Sequence, residues 1–184
     1  MTRLLQVPGP GDYGVCPGGG PLMFAVRLWT GDVPFLKPAW AGHAGLVRHV
    51  TLDPGGHLAG VLVSEATPDQ GIRERWVEGP ALAGWRWSTL NLSPTQRAAA
   101  VKVMDEYRGT PYDWPSVVEV GLRVIVARYR GQAADHPDKR LFCSEWVSWV
   151  ARDFMHLDLF PGIAPGTVSP HMLDRRRAGP LTAR

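Results

Sequence analysis

Two cysteines in 184 residues, Cys16 and Cys143, share no repeated spacing and give no disulfide framework. Neither a paired C-x-x-C nor an H-E-x-x-H run is present, so no zinc site, and no metal or cofactor, is expected. No apolar run approaches the length of a membrane span. The opening residues MTRLLQVPGPGDYG lack a signal peptide's apolar core, and the expectation is a cytoplasmic protein or one delivered in a virion or by lysis. A net charge of +3 is too small to argue for a nucleic-acid partner, and Arg175-Arg176-Arg177 reads as a solvated basic tail spanning 175–184.

What remains is the composition of an ordinary globular chain, 45% hydrophobic and 20% charged, at the length of one domain covering 1–184. The stretch with chemical potential is LFCSEWVSWVARDF, from Leu141 to Phe154. Its Cys143, Trp146, Val147, Val150 and Phe154 recur at three- and four-residue spacing, the stripe of a helix buried on one side. Cys143 opens that stripe. A thiol in a helix's first turn lies beside unpaired N–H groups and the positive end of the dipole, which favour the thiolate. A lone cysteine on an apolar face is also common as packing, so its position alone does not decide.

A thiolate nucleophile needs a base. Of six histidines, His43 stands out: Ala41 and Gly42 lead into a strand-like run through Leu46, Val47 and Val50, which stops at the turn Asp53-Pro54-Gly55-Gly56. LAGVLVSEA then reads as the returning strand of a hairpin. Counting back from the turn puts Glu65 roughly opposite His43, with His57 and His49 as substitutes should the register differ. Cys143 as nucleophile, His43 as base and Glu65 as orienter make a triad suited to acyl transfer.

The order GHAGLV, SEA, GTPYDW and LFCSEWV resembles the circularly permuted branch of the NlpC-type papain-like superfamily, whose relatives include lecithin retinol acyltransferase-like proteins. The likeness runs from about Gly42 to Asp174, taking in VSPHMLD. It implies an α+β papain-like fold, a small antiparallel sheet packed against helices, in which the histidine strand precedes the cysteine helix. It further implies thiol-dependent cleavage of an amide, with bacterial cell-wall stem peptides as the first substrate class. A lipid amidase or acyltransferase working through a Cys143 thioester is the alternative, as is a non-catalytic virion protein of the same fold. Trp146 and Trp149 stand where the resemblance leads one to expect aliphatic residues, which points to a different pocket floor.

The rest of the chain supplies the frame. Gly9 to Gly20 is turn-rich and reads as a loop or entry segment (1–20) around a non-catalytic Cys16. Leu22 to Leu28 reads as a strand, and the following loop brings Trp40 beside His43, where it is a candidate to line a cleft. GIRERWV and GWRWSTL alternate as strands, the first with one face mixed. Ser93-Pro94 with Gln96 makes a capping box, opening a helix that stops at Gly109. A second helix is expected from Pro115, with Asp113 as its cap. By resemblance, Tyr112 is a candidate hydrogen-bond donor to a substrate carbonyl or oxyanion, and the backbone N–H of Cys143 is the stronger one.

Overall fold

A computed structural model describes residues 7–18, 40–113 and 141–178. The expected strand at 22–28 and the expected helix from 115 lie outside these described residues.

Among the described residues, five antiparallel strands form one sheet in the order β4-β3-β2-β1-β5. They are β1 (Tyr13–Cys16), β2 (His43–Leu52), β3 (Leu58–Thr67), β4 (Gly71–Glu78) and β5 (Arg86–Ser88). The β2–β3 hairpin turns at Asp53–Gly56, where Gly56 has φ +80° and Asp53 accepts the His57 N–H at 2.8 Å. The ladder shifts by one residue between Val47 and His49. That bulge sets Leu46 against Ser64, which leaves Glu65 level with Gly45 and diagonal to His43.

The segment expected as a loop around Cys16 instead contributes an inner strand. β1 sits between β2 and β5 and is wholly buried, with Cys16 paired to His43. Its Gly-rich flanks mask a run, Tyr-Gly-Val-Cys, whose Tyr13 and Val15 alternate into the main core as a strand's should.

Period-two alternation splits the sheet into two faces. Tyr13, Val15, Ala44, Leu46, Ala66 and Ile72 belong to the main core. Cys16, Val47, Val61, Val63, Val77 and Trp85 form a smaller cluster.

Helix α1 (Pro94–Glu106) starts as the sequence predicts. Ser93 accepts the Gln96 N–H at 3.3 Å while the Gln96 side chain accepts the Ser93 N–H at 2.9 Å, and Ala100, Val103 and Met104 are buried. Helix α2 (Cys143–Trp149) is buried at every residue and runs directly into a π turn, Val150–Phe154. Wider i→i+5 pairing there, with the Met155 N–H on the Val150 carbonyl at 3.1 Å, ends the regular stripe.

Trp146 and Trp149 are core residues and not a pocket floor. Trp146 is fully buried and donates its Nε1–H to Ser64 at 3.3 Å. Trp149 lies edge-on to Tyr107 and Phe154, each at 4.9 Å between ring centres. Helix α3 (Pro170–Ala178) takes in Arg175, Arg176 and Arg177, so the expected tail begins as a helix; the Leu173 carbonyl in it accepts the Tyr13 hydroxyl at 3.0 Å. No helix among the described residues is long and apolar enough to cross a membrane.

Candidate active site

His43 opens β2 and Cys143 opens α2, so the site forms where a strand start meets a helix start. The thiol is close enough to share a hydrogen bond and charge with the imidazole. On the ring's other side, Nε2 lies 2.9 Å from Glu65 Oε2, which leaves Nδ1 to face the sulfur. The imidazole thus stands between thiol and carboxylate, and all three are buried: 4% exposure at Cys143, 8% at His43 and 1% at Glu65, so water does not compete for these bonds.

The second glycine of GHAGLV lets this arrangement form. Gly45 lies between His43 and Glu65 in the hairpin, and a Cβ there would run into Val63 Cγ1 while standing 3.4 Å from Glu65 Cβ. Its partner across the ladder, Gly14, leaves room for the stacked rings of Trp85 and Trp87, which lie 5.1 Å apart. Trp85 in turn meets the His43 ring edge-on at 6.1 Å and walls it off.

The alternatives for the orienting position stand elsewhere. His57 is exposed at the turn and pairs with Asp53 at 3.3 Å. His49 is exposed beyond the bulge and rests edge-on against Trp76 at 6.1 Å.

A buried carboxylate is costly unless it is paired and hydrogen-bonded. Burial pushes Glu65 toward its neutral form, but bonds from His43 and from Arg75 outweigh that and hold it ionised far below the usual carboxyl range. Arg75 donates from Nε to Oε1 at 2.8 Å and from Nη2 to Oε2 at 3.1 Å, and Arg73 adds a bond to Oε1 at 3.2 Å. These two arginines are the residues that sequence reasoning missed. The signal was present: GIRERWV carries two like charges on one strand face, next to a strand whose facing residue is an acid.

His43 is governed by opposing forces. Burial disfavours its cation, but the charge and hydrogen bond of Cys143, followed by those of Glu65, raise it from an ordinary 6.5 to about 9. Stability drawn from the charged imidazole is therefore complete below pH 6.5 and is lost as the pH rises through 9. Glu65 works in the other direction: its contribution is present above an ordinary 4.5 and is lost as the pH falls below that. The melting-temperature difference between wild type and His43→Ala should then be greatest between pH 4.5 and 6.5 and shrink toward pH 9. Thermal melts across that range check this; a difference that stays flat contradicts it.

Tyr112 reaches the site through a single parallel bridge to Leu141, one residue before the helix cap Phe142. Burial pushes its phenol up strongly, and the negative charges of Cys143 and Asp113 add to this, so it keeps its proton and remains a donor. Asp113 donates its N–H to the Leu141 carbonyl at 3.3 Å; the helix it was expected to cap lies outside the described residues.

Glu145, in the first turn of α2, accepts the Phe142 N–H at 3.4 Å and is pushed up to about 7, by burial first and then by Asp113. Trp40 is half-buried under the Arg86 guanidinium, 3.6 Å from its ring centre, and Arg86 also bonds Asp174 at 3.1 Å. One face of the Trp40 ring is thus already covered.

Cys16 stands apart chemically. Burial, with the charges of Glu65 and Cys143 adding to it, pushes its thiol up to about 11, so it is protonated at neutral pH.

The chain matches no protein-family model and no curated protein. Among the described residues no group of three or more histidine, cysteine or acidic side chains is arranged to hold a metal ion.

Proposed function

We propose that this protein is a thiol-dependent hydrolase of amide bonds, built on a papain-like fold in its circularly permuted form. The observation that carries the reading is the buried group Cys143–His43–Glu65, with the imidazole bonded at one nitrogen and left to the thiol at the other. The chain order, histidine strand before cysteine helix, supports the permuted form. The choice of cell-wall stem peptides as substrate rests on the resemblance of GHAGLV and LFCSEWV.

In this mechanism the Cys143 proton passes to His43, whose raised basicity suits it to accept that proton. The thiolate attacks the amide carbon. The resulting oxyanion accepts bonds from the Cys143 N–H, freed at the helix start, and from the Tyr112 phenol. His43 returns the proton to the leaving amine, giving a thioester and a free amine. A water deprotonated by His43 then releases the acid and regenerates the thiol.

The test is incubation with stem-peptide fragments and, in parallel, with long-chain fatty acyl amides, followed by mass spectrometry of released amine and of Cys143. A peptidyl adduct supports the proposed class, a fatty acyl adduct moves the protein to the lipid class, and no adduct with either class contradicts hydrolysis of both. Glu65→Gln is expected to cut turnover about tenfold to a hundredfold, the worth of one hydrogen bond to a charged group. An unchanged rate would remove Glu65 from the triad.

A further inference from the structure

The carboxylate that bonds His43 is itself gripped from the next strand. Glu65 on β3 faces Arg73 directly across the ladder to β4, with Arg75 two residues further along the same face. Arg75 takes both oxygens, with Nε on Oε1 at 2.8 Å and Nη2 on Oε2 at 3.1 Å. Arg73 takes Oε1 alone, at 3.2 Å, and shares its guanidinium with Gln70 at 3.1 Å. Arg75 is also within 5.9 Å of the Trp85 ring centre, the same ring that walls His43. It therefore bridges the carboxylate and the wall of the imidazole.

We propose that Arg75 is a positioning residue of the site, whose two-pronged bond fixes the rotation of Glu65 so that Oε2 meets His43 Nε2 and Nδ1 is left on the Cys143 sulfur. This rests on the Cys143–His43–Glu65 reading. The terminal torsion of a glutamate is broad, so a carboxylate held by one bond rotates; a planar guanidinium bonded to both oxygens stops that rotation. Lysine brings the charge without the fork. Arg73, with one bond to Glu65, supplies charge but little orientation. The titratable or charged groups that bear on Glu65 are His43, Arg73, Arg75 and Cys16, with Cys143 acting on it through His43.

The experiment is the rate of iodoacetamide alkylation at Cys143, followed by mass spectrometry between pH 4 and 9, in wild type, His43→Ala, Arg75→Met and Arg75→Lys. Arg75→Met should slow labelling near neutral pH about tenfold. It should also move the acid limb of the profile up by about one unit, because the site loses a positive charge that favours the thiolate. Arg75→Lys should keep the acid limb near that of wild type and still label several-fold more slowly, since the fork is gone. A role confined to packing would lower the melting temperature while leaving the limb in place, and that result overturns the proposal. So does a wild-type rate in Arg75→Lys, which decides the matter even where Arg75→Met fails to fold. If wild-type labelling is itself indifferent to His43→Ala, the underlying triad reading falls and takes the proposal with it, an outcome distinct from failure at Arg75 alone.

Discussion

Cys143→Ala is expected to lower turnover by at least about four orders of magnitude, to the level of binding and oxyanion contacts alone. In the proposed mechanism the sulfur forms the thioester, and no other thiol replaces it: Cys16 is on the strand paired with His43, but its proton is held to about pH 11. The fold should survive. One sulfur is removed from a buried position, at a cost of about 1 kcal/mol, or a melting shift of roughly 2–4 °C for a chain of this size. Turnover assays beside thermal melts separate the two effects, and a variant that retained activity would end the assignment of Cys143 as nucleophile.

His43→Ala should be nearly as severe, with a loss of about 10²–10⁴ in rate, the usual worth of a positioned acid–base group. The variant still buries Glu65, but the carboxylate keeps its bonds to Arg73 and Arg75 and is not left as an unpaired charge. Destabilisation then combines the lost charged hydrogen bond, about 1.5–3 kcal/mol, with the cavity left against Trp85, and the protein should remain folded at room temperature. Rates measured on folded material check the first figure and denaturant titration the second. Equal activity in wild type and variant would remove His43 from the mechanism.

The hairpin is legible because its turn is written in Asp-Pro-Gly-Gly and its strands alternate, and that pattern alone brings His43 and Glu65 close together. The bulge between Val47 and His49 was not legible, since nothing in Val-Arg-His distinguishes a regular ladder from a shifted one. The capping box at Ser93 was readable for the opposite reason: its two reciprocal bonds depend on residues three apart. β1 escaped notice because four residues between glycines carry too little alternation to register as a strand. It becomes one only when β2 and β5 supply hydrogen bonds on both sides. Arg73 and Arg75 were visible as alternating charges, but their purpose depends on the β3–β4 register, which places them against Glu65. The tryptophans following Cys143 suggested an altered pocket, whereas Trp146 packs inward to Ser64 and Trp149 into an aromatic cluster. Helical spacing gives the side a residue faces and leaves open what lies on that side.

The central claim is that Cys143 is a thiol activated by His43. Its most direct test is the rate of iodoacetamide labelling at pH 6.5, where an ordinary thiol is almost wholly protonated, with Cys16 in the same molecule as the internal standard. The structure predicts that Cys143 labels far faster than Cys16 and that His43→Ala removes most of the difference. Equal labelling of the two cysteines, unchanged by loss of His43, would contradict it and leave Cys143 as a packing residue.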